Sequence, residues 1–320
     1  MTLLAVNLTP VAPRSSGHQN WMFPDAYDVA LSPSLSWHHQ CVLDTDGILY
    51  PCSWIVMETA EGVYDFSKLT TTLNYAATYG KKVIVRVFTK TVSGAKPKPL
   101  PAYMLNDETT YGGSATTGGL RINGFSGWSP RFDNPNVMAR FKALITAMAA
   151  EVGPHSALQG IGPDESAWGF RDTWPIADLT TAQVKDAHRE QCLHIQSCFP
   201  GKEIYPFYNY CDGSPDEEVI AEFQWSLSQG MCAGITDTHR IPEMQSGVQP
   251  VAAAYPVSAK TLMIVDYMST GADDSGLAER YLENGRTTAL RGADITVWLN
   301  WGGATGNYWA AAKNAMATIG

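Results

Sequence analysis

Asp164 and Glu165 stand side by side in LQGIGPDESAWG, residues 158–169, with Trp168 close behind. A short apolar run, Leu158 to Ile161, meets Gly162 and Pro163 and then delivers the two carboxylates. At the carboxyl end of a parallel barrel strand, an acidic side chain is a candidate for chemistry, as an acid, a base or a nucleophile. The competing reading is an acidic loop residue that caps the next helix.

Such a side chain needs elements to hold it, and the chain repeats a strand-then-helix unit. Residues 52–57 read as a strand. Ser67 opens a helix whose Leu69, Leu73, Ala76 and Ala77 share one face before Gly80 stops it. Residues 81–88, KKVIVRVF, have an apolar middle without polar alternation, as a parallel strand covered on both faces does. A helix over 137–152 carries Phe141, Leu144, Ile145 and Met148 at helical spacing and leads into Leu158. Helices follow at 181–196, 216–229, 277–291 (weakened by Gly285) and 309–319, and strands at 203–210, 231–236, 261–266 and 294–300. With an eighth strand from residues 3–8 or 27–31, the expected fold is α/β, a single (β/α)₈ TIM barrel over residues 1–320.

One segment breaks the rhythm. Residues 89–136 are too long for an ordinary connection and rich in Gly, Thr and Pro, with an Asn123-Gly124 pair that suggests a small hairpin. Because it follows a strand, it is expected as an extended loop on the catalytic face, walling a cleft. The alternative is a disordered insertion, against which Tyr111, Phe125 and Trp128 count.

A formal charge of −9 and a pI near 5.2 argue against a nucleic-acid or anionic-membrane partner. Only 17% of residues are charged while 11% are aromatic, which suits a neutral ligand. The six cysteines show no C-x-x-C pair, so zinc-ribbon and thioredoxin readings fall away; Cys41 and Cys52 are the pair that could bridge a loop in an oxidising compartment. No run approaches the ~20 apolar residues of a membrane span. The N-terminal MTLLAVNLTPVAPRSSG has no positive n-region and too short an apolar piece for a signal peptide. The expectation is a cytoplasmic protein, or one that is virion-associated or exported without a classical signal.

The run SWIVMETAEGVYDFSKLTTTLNYAATYGKKVIVRV resembles the second strand, helix and third strand of clan A glycoside hydrolases, with a Trp, an acidic residue and a Gly-x-Tyr-Asp turn before the helix. Pro101, Ala102 and Tyr103 are similar to that group's Pro-containing loop, and the stretch from Asn134 through GPDESAWG to its approach to the acid/base strand. The resemblance covers residues 50–170 and the remainder by strand order. It implies a glutamate acid/base after the fourth strand and a glutamate nucleophile after the seventh, positions that fall here on Glu165 and Asp266. It also matches Arg86 to an arginine that supports the nucleophile; a structural ion pair is the other reading. Asp164 stands where the family has Asn, and Asp266 is one methylene shorter than Glu.

Cleaving a glycosidic bond needs one carboxylic acid to protonate the leaving oxygen and a second carboxylate across the sugar, to attack the anomeric carbon or activate water. Glu165 takes the first role, with Trp168 as the apolar neighbour such an acid needs, and Asp266 the second. Family precedent points to retention, whereas the shorter Asp266 favours an inverting or a lost activity. Asp164, Trp168, Arg86, Tyr208, Tyr210, Asp237, His239, Trp298 and Trp301 are the substrate-binding candidates, the tryptophans as platforms for a pyranose ring. Each has a packing alternative, and for Trp298 that is a core position. Glu58 reads as structural, and His188 and His194 as solvated.

No phosphate loop, G-x-S-x-G elbow or H-E-x-x-H pair is present, and no cofactor or metal is expected. The expected function is a glycosidase acting on an oligo- or polysaccharide. The rival is a catalytically inactive carbohydrate-binding barrel used in adhesion, for example phage-associated; a lyase or aldolase with a Lys Schiff base has only Lys90 to offer.

Overall fold

The run KVIVRVF lacks polar alternation because both its faces are covered: in the computed structural model it is the third strand of a closed parallel barrel. Residues 18–24, 29–91, 94–123, 126–166, 179–208, 216–238, 261–265, 294–300 and 307–319 are described. The barrel strands are β1 (Gln19–Pro24), β2 (Gly47–Ser53), β3 (Lys82–Phe88), β4 (Leu158–Gly162), β5 in two pieces (Glu203–Ile204 and Phe207–Tyr208), β6 (Ala233–Thr238), β7 (Thr261–Val265) and β8 (Ile295–Asn300). Each pairs in parallel with the next, and β8 returns to β1 in a register from Gln19 opposite Ile295 to Pro24 opposite Asn300. Pro206 interrupts β5, yet its carbonyl accepts from Gly234 N (3.0 Å) and Tyr205 N donates to Ile161 O (2.9 Å), so the ring closes across the break.

Strand alternation sorts the side chains into two layers. Trp21, Phe23, Leu49, Ile84, Tyr205, Phe207, Leu262, Ile264, Ile295 and Val297 pack together inside the barrel. The opposite parity, for example Val83, Val85 and Val87 of β3, packs against helices. These are α1 (Ser36–Asp44), α2 (Ser67–Thr78), α3 (Pro135–Val152), α4 (Thr181–Cys198), α5 (Asp216–Ser228) and α6 (Asn307–Ile319). Their ends follow local chemistry. Asn134 caps α3 by accepting from Asn136 N and Val137 N, with Pro135 at the first position. Thr180 and Gln183 form a capping box on α4.

Two expectations shift. The first strand is Gln19–Pro24, between the segments proposed for it; residues 3–8 lie outside the described residues. The second strand runs Gly47–Ser53, earlier than residues 52–57, because Trp54 and Met57, three apart, bury together on a single helical turn. The helix expected at 277–291 also lies outside the described residues. Between β3 and α3 the chain forms two helical turns (Ala102–Leu105 and Glu108–Tyr111) and the hairpin anticipated from Asn123-Gly124, Leu120–Ile122 against Trp128–Pro130. That hairpin is tied to the end of β3: Thr91 N donates to Trp128 O (2.9 Å), Trp128 N to Thr91 Oγ1 (3.0 Å) and Asn123 Nδ2 to Thr91 O (2.9 Å). Cys41 and Cys52 are buried thiols with no bridge between them. Among the described residues, no helix is long and apolar enough to cross a membrane, and no cluster of three His, Cys, Asp or Glu could hold a metal.

Candidate active site

Arg86 shares the inward parity of Ile84 on β3, so a guanidinium enters the barrel's interior one residue pair above the apolar plug. Its cation lies over two rings, 4.8 Å from the Phe88 centroid and 5.2 Å from that of Phe207. A buried charge of this kind needs a partner, and the partner comes from the end of β4. Arg86 Nε and Nη2 both donate to Asp164 Oδ1, at 3.2 and 2.7 Å.

Asp164 is consumed by this task. Oδ1 also accepts from Glu165 N (2.9 Å), and Oδ2 accepts from Thr89 N (2.9 Å) and Lys90 N (3.0 Å). Burial opposes its charge, but the Arg86 and Lys90 cations and the Thr89 amide outweigh it and hold the carboxyl below the usual aspartate range. Gly162 makes this approach possible: a Cβ there would lie 1.9 Å from Tyr205 O, so β4 and β5 meet closely only because the residue is glycine.

Glu165 is placed differently. It retains about a fifth of its side-chain surface, its Oε2 lies 3.5 Å from Arg86 Nη2, and its backbone carbonyl accepts from Lys90 Nζ. Ser166 N donates to Phe207 O (2.9 Å), which pins the turn that carries it to β5. A small recess opens beside it, lined by Thr89, Lys90, Phe132, Asp164, Glu165, Val184, His188 and Gln191.

The structure thus brings Arg86, Asp164 and Glu165 together and separates two other candidates from them. Tyr208 faces outward: it is fully buried, its hydroxyl donates to Glu222 O (3.0 Å), and its ring meets those of His188 and Phe223 edge-on. Trp298 is likewise fully buried in the helix-facing layer and donates from Nε1 to Asn20 Oδ1 (2.9 Å), so of its two readings the core position holds. Even-numbered parity on β8 turns it away from the interior that Ile295 and Val297 face. Trp168, Tyr210, His239, Asp266 and Trp301 lie outside the described residues; Asp237 is in β6, and its side chain is also outside them.

His188 corrects another expectation. It is buried, not solvated, and burial next to Lys90 pushes its imidazole down to about 3. His194 is half-buried, 3.0 Å from Lys142 O through Nε2. The signal for His188 was in the sequence: Val184, His188 and Cys192 recur every fourth residue, which marks one helix face, and that face packs on the barrel. Glu58 is structural as expected, accepting from Trp54 Nε1 (2.8 Å), Tyr103 OH (3.0 Å), Gly62 N (3.1 Å) and Arg140.

Solved structures share this arrangement of strands. The β-amylase catalytic domain of Paenibacillus polymyxa aligns over 94% of this chain and 98% of its own, with a TM-score of 0.66 at 10% identity. The shared fold is the (β/α)₈ barrel. A family 5 glycoside hydrolase of Streptomyces cattleya, solved with GlcNAc, aligns over 95% of this chain and 80% of its own (TM-score 0.57, 13% identity). A xylanase of Thermotoga petrophila, solved with xylobiose, aligns over 95% of each chain (TM-score 0.55, 10% identity). No family model and no curated protein sequence matches the chain. In this barrel, β4 is the fourth strand from the N-terminus and β7 the seventh, so Glu165 and Asp266 follow in the sequence the strands from which the expectation drew them.

Proposed function

We propose that the protein is a glycoside hydrolase that cleaves an oligo- or polysaccharide with Glu165 as acid/base and Asp266 as its partner. The observation that carries this reading is Glu165 itself. It is a carboxylate at the end of β4, held through its backbone carbonyl by Lys90 and through its backbone N–H by Asp164, while its side chain stays partly open beside an Asp164 carboxylate that is fully occupied. Arg86 neutralises Asp164, so the two adjacent acids have separate tasks.

In the proposed reaction, Glu165 gives its proton to the glycosidic oxygen as the bond to the anomeric carbon breaks. Asp266 attacks that carbon, and Glu165, now a carboxylate, takes a proton from the water that releases the glycosyl-enzyme. Retention is the outcome of this sequence. Trp168, Tyr210, Asp237, His239 and Trp301 are the proposed cleft residues.

The test is sugar release from a panel of polysaccharides with the wild type, Glu165→Gln and Asp266→Asn. Each substitution is expected to lower kcat by at least about 10³-fold. Wild-type rates in Glu165→Gln would sink the assignment. Unchanged carbohydrate binding by a wild type that releases nothing would make the protein a binding barrel. NMR of the first anomer formed separates retention from inversion, and the carboxyl separation does so structurally, about 5–5.5 Å against 6.5–9.5 Å.

A further inference from the structure

The recess beside Glu165 contains two polar atoms that the described contacts leave unused. Thr89 Oγ1, at the end of β3, and His188 Nε2, on α4, are both buried without a hydrogen-bond partner, and both residues line the same recess. It offers about 10 Å³ to the centre of a water molecule, the room of one water. Polar cavities of this size are hydrated, whereas only apolar ones stay dry.

The surroundings define what that water would meet. The Cys192 Sγ atom lies 4.0 Å from His188 Nδ1. Burial raises the pKa of this thiol, which therefore keeps its proton beside Nδ1. With Nδ1 facing the thiol, Nε2 is the ring nitrogen left for the recess, a donor or an acceptor according to the tautomer. The Asp164 backbone carbonyl favours the protonated ring without meeting Nε2 in a hydrogen bond. Of the two carboxylates in the wall, Asp164 already accepts five hydrogen bonds, while Glu165 has its Oε2 only 3.5 Å from one Arg86 nitrogen. Glu165 is the acceptor with capacity to spare.

We propose that the recess is a built water site: one water, held by Thr89 Oγ1 and His188 Nε2, hydrogen-bonds the Glu165 carboxyl group and fixes its orientation. Thr89 and His188 are then positioning residues for that group. The positioning role rests on Glu165 being the acid/base; the water site does not.

The experiment is a crystal structure showing ordered water for the wild type, Thr89→Val and Thr89→Ser, with kcat and KM measured for each. Valine keeps the shape of threonine, and the Thr89 backbone bond to Asp164 is untouched by the change. Expected is a water within about 2.6–3.2 Å of both atoms and of Glu165, absent from Thr89→Val and present in Thr89→Ser. In parallel kcat falls about tenfold in Thr89→Val at unchanged KM and recovers in Thr89→Ser. Should Thr89→Val not fold, His188→Phe removes the other anchor and is read the same way. An empty recess, or Nε2 bonded to the Asp164 carbonyl, overturns the site. Loss of the water with kcat unchanged overturns the positioning role. A wild type that has the water but hydrolyses no glycoside overturns the hydrolase reading and leaves the water site standing.

Discussion

Glu58 and Asp164 are both buried carboxylates that hold an arginine, one outside the barrel wall and one inside it. Glu58 gathers four donors from Trp54, Gly62, Tyr103 and Arg140, and ties the loop after β2 to α3. Asp164 gathers five and ties the end of β3 to the end of β4. What differs is the neighbourhood. Glu58 sits among aromatic rings that complete its shell, whereas Asp164 adjoins a second, partly exposed carboxylate and a recess with unused polar atoms. Burial and ion pairing therefore mark architecture at both places; unspent hydrogen-bonding capacity at a strand end is what distinguishes the candidate site.

The sharpest way to break this comparison is Arg140→Met, which leaves Glu58 buried without its cation. A loss of about 3–5 kcal/mol in urea unfolding is expected, with turnover per folded molecule unchanged. A fall in turnover equal to that of site variants would mean that the Glu58 knot serves the site directly.

His188→Phe probes the other side. The native imidazole is held down to about 3 and the unfolded one titrates near 6.5, so the unfolded state takes up the proton first. Wild-type stability should decline as pH drops below about 6.5, by about 2 kcal/mol at pH 5 from this group alone, and His188→Phe should lack that part of the slope. Parallel curves from chemical denaturation at several pH values would refute it.

Asp164→Asn is expected to cost about 1–2 kcal/mol at pH 7, because one amide NH₂ must face Arg86 or the Thr89 and Lys90 N–H groups. The native Asp164 carboxyl titrates below its unfolded value, so its contribution is present above about pH 4 and lost as pH falls through the folded value. The gap between wild type and variant should close in that acid range. The smallest effect is expected on the surface: Glu190→Gln, which breaks the exposed 2.5 Å pair with Lys142, should change stability by less than about 0.5 kcal/mol.

The barrel was legible where a local pattern has a single explanation. KKVIVRVF lies between two apolar layers and shows it; the helix faces of α2 and α3 repeat at helical spacing. β1 escaped because QNWMFP is short, polar at its start and ends in Pro, so its membership depends on the β2 and β8 partners that no local window contains. At the site, Glu165 could be read from its place after an apolar run. The task of Asp164 could not, since four of its five donors come from residues 86–90, about 75 positions earlier. Tyr208 and Trp298 end strands as cleft residues would, and only strand parity, fixed by register, turns them outward.

The final hydrogen bonds of the ring cannot form until β8 has been made. β1 waits beside β2 with its other edge bare, and its eventual neighbour begins at Ile295, some 270 residues later. At ribosomal speeds of roughly 5–20 residues per second, that interval lasts about 14–55 s. Trp21, Met22 and Phe23 are carried on that unpaired edge throughout, a template for pairing with other nascent chains. Newly made protein should thus depend on chaperones far more than its finished, edgeless barrel does.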